Sequence, residues 1–189
     1  MGVVMKRDEA LALLKQHVKN ENMIKHCLAS EAVMRALARE LNQDEEKWGI
    51  AGLLHDLDVE ITDADLSVHT LEAVKILRQH EIDEDIIEAV KLHNLDAHPG
   101  AERTDPFHIA LAAGETVTGL IIATTLVYPD KKLSSVKPKS VVKRMKEKAF
   151  ARSVNRDTIL ECEKLGMDIN RFVDISLHAM RDISDELGL

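Results

Sequence analysis

His55 and Asp56, in the run Gly52-Leu53-Leu54-His55-Asp56-Leu57-Asp58, set a neutral-nitrogen metal ligand beside a carboxylate able to bridge two cations. A His-Asp pair is common at helix ends and decides nothing alone. Further imidazoles and carboxylates recur along the chain: His26 upstream, His69 and His93 downstream, and Glu115 beyond them. Such a set suits one or two divalent ions. With His and carboxylate ligands and no thiolate, Mn, Fe, Ni, Co or Mg all remain open, because residue types do not choose among them. Asp58 and Glu60, just past the pair, are candidates for general acid/base work or for orienting a ligand.

For these groups to meet, the elements carrying them must turn them inward. Periodicity is helical almost throughout, with helices expected over about 8–18, 22–41, 67–80, 106–127, 157–165 and 170–187. Asp44 and Asp83 look like N-caps, the first for a helix ending at His55-Asp56. At helical spacing His26 is in register with Ala29, Val33, Leu37 and Leu41. His55 shares a face with Trp48 and Ala51, His69 with Ala73 and Ile76, and His93 with Ile86, Ala89 and Val90. A single inward histidine is more simply a core residue bonded to backbone carbonyls, but four converging by accident is less plausible. Glu115 adds weight: on a nearly uncharged helix beginning near Pro106, it would be a buried charge unless it met a cation or a proton. Gly49, Gly52, Gly114 and Gly119 flank the candidate ligands and permit close approach of backbones or plain helix packing. His98 could supply a further ligand, and His108 could wall a pocket, being too far along the helix from Glu115 to share its ion.

The 189 residues suffice for one domain, and no linker divides them. Hydrophobic residues make up 45% but aromatic ones only 3%, so the core must be aliphatic, which points to an all-α class. Cys27 and Cys162 fit no disulfide or thiolate-metal pattern. The N-terminus is charged too soon for a signal peptide, and no apolar run reads as a membrane span, so a cytoplasmic protein is expected. A net charge of -8 argues against nucleic acid as a partner. Eight basic residues against one acid between Lys131 and Lys148 could line the entrance of a site and draw in an anion, or simply keep an exposed face soluble. Whether the chain forms a homo-oligomer stays open.

The order His26, His55-Asp56, then an acid on a long apolar helix resembles the HD-domain superfamily of metal-dependent phosphohydrolases, whose pattern is H…HD…D. The likeness covers about residues 22–125, leaving about 130–189 as a C-terminal helical extension of the same domain. His69 and His93 fall where two-metal members place additional histidines. The runs at 53–58 and 115–120 are similar to small predicted hydrolases of HDIG type. Glu115 replaces the usual final Asp, and Asn94 stands where some two-metal members carry a second consecutive histidine. The resemblance implies a single-domain helical bundle that hydrolyses a small-molecule phosphate ester, commonly a nucleotide, through a metal-activated water. It implies one ion on His26, His55, Asp56 and Glu115, and a second on Asp56, His69 and His93; Asp56, and Asp58 by its position just past the pair, are the residues expected to be catalytic. A metal-stabilised binding or regulatory domain without turnover is an alternative, and a di-iron oxygenase a more remote one.

Overall fold

The computed structural model describes residues 5–189; residues 1–4, on which the reading of the N-terminus partly rests, lie outside the described residues. The described chain is helical and has no β-strand. The α-helices are α1 (Arg7–His17), α2 (Glu21–Glu40), α3 (Glu45–Leu54), α4 (Leu71–Gln79) and α5 (Glu84–His93). They continue with α6 (Pro106–Leu126), α7 (Pro138–Met145), α8 (Arg156–Leu160), α9 (Ile169–Asp182) and α10 (Ser184–Leu187). Short 3-10 segments occupy Leu133–Ser135 and Glu161–Leu165.

Local chemistry explains most of the boundaries. Asn20, Asp44, Asp83, Asp105 and Asp168 each accept a backbone N–H from the first turn that follows, satisfying donors that a helix start leaves open. Pro106 begins α6, where its missing N–H costs nothing. Gly166, at φ 76°, ends the Glu161–Leu165 segment in the left-handed conformation that glycine tolerates.

Four expectations change. The helix expected over 67–80 begins only at Leu71, and His69 lies in a series of turns before it. The N–H groups of Thr70, Glu72 and Ala73, which an earlier helix start would position differently, all donate to the Asp58 carboxylate at 2.9–3.1 Å. The last helix is broken at Ile183 into α9 and α10, and the one expected over 157–165 divides into α8 and a 3-10 segment. Finally, α6 is long and apolar enough to cross a membrane by length and composition, contrary to the reading of the apolar runs. It is instead largely sheathed: 67% of its most apolar stretch is buried inside the protein.

That burial follows from its place, since α6 touches α2, α3, α5, α7, α8 and α9. The core around it is mostly aliphatic, with Trp48, Phe107 and Phe172 among its members, and runs from Ala10 to Leu187. Each fully buried Leu or Ile contributes about 1.5–3 kcal/mol. Thr124 and Thr125, buried on α6, donate to the carbonyls of Leu120 and Ile121 one turn back, so neither hydroxyl is stranded in the apolar interior.

The most extensive helix pair is α2 with α3, which carry His26 and lead into His55. Their approach is set by Gly52, where an added Cβ would stand 2.7 Å from the Ser30 carbonyl oxygen and 3.0 Å from the Glu31 Cα. These are backbone atoms of α2 and cannot rotate away. Gly52→Ala is therefore expected to destabilise the fold by about 1–3 kcal/mol and to weaken metal uptake by moving His55 from His26. Thermal melting and metal titration of the variant measure both, and a fully stable variant with unchanged metal uptake would contradict this account of the packing.

Candidate metal centre

Four imidazoles reach one place from four parts of the chain, and each is aimed by a hydrogen bond at Nδ1. His26, in the second turn of α2, has Nδ1 3.0 Å from Thr118 Oγ1. The Thr118 hydroxyl donates to the Glu115 carbonyl at 2.7 Å, so its oxygen accepts from the imidazole. His55, directly after α3, donates from Nδ1 to the Gly52 carbonyl at 2.8 Å. His69 donates to Asp58 Oδ1 at 2.7 Å, and His93, the last residue of α5, to the Val90 carbonyl at 2.6 Å. With every Nδ1 engaged, every Nε2 is left to serve the centre, the arrangement by which outer hydrogen bonds select tautomer and ring direction for a metal.

The Nε2 atoms converge on Asp56 in two pairs. Those of His26 and His55 are 3.1 Å apart and each 3.5 Å from Asp56 Oδ2. Those of His69 and His93 are also 3.1 Å apart, and lie 3.1 and 3.6 Å from Asp56 Oδ1. Within each triad the ligand atoms all fall within 4.8 Å of one another. Two ligands held about 2.1 Å from one ion at an open angle stand roughly 3–3.5 Å apart, so both pairs have the spacing of co-ligands. The donor set leads to the same answer. His26 and His55 present lone pairs to each other, and burial holds both below the ordinary histidine range, His55 at about 3. Neither offers a proton for that contact. A cation between them turns a repulsion into two bonds.

Asp56 is the charge that balances the centre. Burial works against its ionised form, yet the surrounding imidazoles hold its carboxyl well below the usual range. His69 behaves oppositely to its neighbours. Burial would lower it, but hydrogen bonds to Asp56 and Asp58 outweigh this and push it up to about 9. A proton on His69 Nε2 and a second cation thus compete for one position.

Glu115 sits beside this arrangement, outside both triads. Its Oε2 is 3.7 Å from His26 Nε2, its Oε1 accepts the Thr116 hydroxyl, and burial pushes its carboxyl up to about 8. Asp58 is fully buried, and both its oxygens face protein donors: Oδ1 the His69 ring, Oδ2 the backbone N–H groups of Thr70, Glu72 and Ala73. Glu60 is equally occupied, accepting the N–H groups of Lys19 and Asn20 at the entrance to α2.

The remaining candidates are placed elsewhere. His98 has Nε2 2.8 Å from Thr70 Oγ1 and braces the turn behind His69. Thr70 needs bracing: at φ 86° this β-branched residue is in a backbone region that costs about 1–3 kcal/mol. Asn94 donates to the carbonyls of Leu66 and His69, tying the same turn to the end of α5. His108 lines a separate depression with Trp48 and Phe107. Cys27 and Cys162 are free and buried.

A cavity of about 490 Å³ opens on His26, Asp56, His69 and His93. None of the basic residues between Lys131 and Lys148 lines it, so the expectation that they guard its entrance is not met. The cationic side chain in its wall is Arg103, whose Nη1 donates to the Leu92 and His93 carbonyls and whose Nε and Nη2 grip Glu161. No sequence signal marks Arg103, a lone basic residue in the loop before α6. Its partners are separated from it by 10, 11 and 58 positions.

Comparison with known proteins is consistent with this geometry. The family model of the HD domain matches residues 23–123, more than half of the chain and the whole of the histidine cluster. No curated protein and no solved structure matches the chain.

Proposed function

The chain belongs to the HD-domain family, and from that premise we propose that it is a phosphohydrolase that holds one or two divalent ions and acts on a small-molecule phosphate ester. The observation that carries this reading is the pairing at Asp56, each of whose oxygens faces the Nε2 atoms of one histidine pair. His26, His55 and Asp56, with Glu115 at their side, would hold the first ion, and Asp56, His69 and His93 the second. When bound, such ions lower the pKa of water and neutralise charge on phosphoryl oxygens.

The protein's own residues do the positioning. Asp56 supplies the shared negative charge. Asp58 keeps Nδ1–H of His69 directed away from the centre, so its role is to position that ring and not to exchange a proton with substrate. Thr118 does the same for His26. The burial of α6 within the bundle supports reading it as the core helix of a soluble protein.

The test is metal analysis of the purified protein, followed by phosphate release from a panel of nucleotides and other phosphoesters with each candidate metal. Release with at least one metal is expected. Loaded protein that releases none from any member is a binding or regulatory domain, and oxygen uptake by the iron-loaded form without phosphate release would place it among di-iron oxygenases.

A further inference from the structure

The cavity above the histidines has one wall that residues 23–123 do not provide. Ser153, Asn155 and Thr158, around the start of α8, line it. Asn155 Oδ1 caps α8 by accepting the N–H groups of Asp157 and Thr158 at 3.0 and 3.2 Å, which leaves its NH2 as a donor. The two hydroxyls can donate or accept. This wall is fastened to the histidine centre through Arg103, which binds Glu161 just after α8 and the carbonyls of Leu92 and His93 at the end of α5.

The same clasp determines the electrostatics. Arg103 is the cation among the lining residues, only 7% exposed, and its charge is already matched by Glu161. Beyond the histidines and Glu115 the cavity presents neutral amide and hydroxyl groups, the apolar side chains of Leu66, Leu95 and Val154, and the carboxylate of Asp96. A chain of phosphates extending from the centre would meet the Asp96 carboxylate and no available cation. A single phosphoryl group needs only the centre itself, and an uncharged remainder suits the neutral wall. A space of about 490 Å³ is in the range of small-molecule sites.

Resting on the phosphohydrolase reading, we infer that the substrate is a phosphate monoester of an uncharged, polyhydroxylated alcohol, whose hydroxyls are read by Ser153, Asn155 and Thr158. Nucleoside 5′-monophosphates and sugar phosphates share this chemistry.

Equilibrium binding to the metal-loaded protein tests it with methylenephosphonate analogues, which cannot be hydrolysed. The analogues of adenosine 5′-monophosphate and ribose 5-phosphate are the two hydroxylated arms, and benzylphosphonate is the arm without hydroxyls. At least one hydroxylated arm is expected to bind about tenfold or more tightly than benzylphosphonate, the sum of two or three hydrogen bonds at a partly open site. The tighter of the two tells nucleoside from sugar. Magnesium-complexed β,γ-methylene ATP is expected to bind more weakly than the monophosphonates.

Combining Ser153→Ala, Thr158→Val and Asn155→Asp, the last keeping the capping oxygen, is expected to remove most of the preference for hydroxyls. If the combination does not fold, Ser153→Ala alone, at an exposed position, is expected to lower it severalfold. Equal binding of benzylphosphonate, tighter binding of the triphosphate analogue, or a preference untouched in the folded variants would each overturn the inference. Phosphate release from adenosine 5′-monophosphate and ribose 5-phosphate themselves is recorded separately. Its absence with the hydroxyl preference intact removes the hydrolase reading and leaves the binding specificity standing, whereas release without preference does the reverse.

Discussion

Protein carrying Asp56→Asn is expected to fold, to retain neither ion after dialysis, and to lose more than about 100-fold in kcat/KM on any phosphoester that the unaltered protein cleaves. Loss of an outer hydrogen-bond partner alone typically costs 10–100-fold in metal affinity or activity, and Asp56 is the group that faces both histidine pairs. Asparagine has the same shape but no charge, and an amide cannot bridge two cations. The fold should survive because the amide NH2 can donate to imidazole lone pairs that otherwise face each other at 3.1 Å. Metal analysis and melting in the presence of chelator separate the two effects. Two ions retained at full stoichiometry, or turnover within tenfold of the unaltered protein, would refute the assignment of Asp56 as the shared ligand.

Asp58→Asn is expected to act on stability and on one ion together. The buried carboxylate accepts four hydrogen bonds, one from a ring whose pKa it helps to raise. An amide cannot serve both sides. With its oxygen towards the backbone, its NH2 opposes the His69 N–H, and reversing it opposes three backbone donors. Breaking such a buried, charge-assisted set costs about 3 kcal/mol, or roughly 10 °C in melting temperature for a chain of this size. Because His69 belongs to the second triad, affinity for the second ion should fall 10–100-fold while the His26–His55 pair keeps the first. Titration well below the melting temperature distinguishes positioning from mere support, since a purely structural Asp58 would leave the affinity for both ions unchanged in the folded protein.

The same residue shows where reading along the chain stops. Asp58 stands out in the sequence as an acid next to His55-Asp56, and both acid/base work and ligand orientation are open to it there. The choice depends on the turn at 65–70 closing over it and bringing His69 and three N–H groups within reach. Helical periodicity places His69 on a helix face, and the competing hydrogen bonds of Asp58 take it off one. The lysines between Lys131 and Lys148 mislead for a related reason: local charge density says where attraction could arise, not which way the segment faces. Arg103, isolated in a loop, has no local pattern at all.

What the amino-acid order determined by itself is the all-α class, the caps at Asp44 and Asp83, and the inward register of His26, His55 and His93. Helical period and end-capping are settled by backbone hydrogen bonds within a few residues, so a short window contains their cause. Only the tertiary structure decided how Asp56 divides its two oxygens between histidine pairs, that Glu115 stands beside the triads, and that residues 153–158 wall the cavity. Those relations join positions tens of residues apart, and they are set by how closely packed helices allow particular atoms to approach, as Gly52 does where α3 meets the backbone of α2.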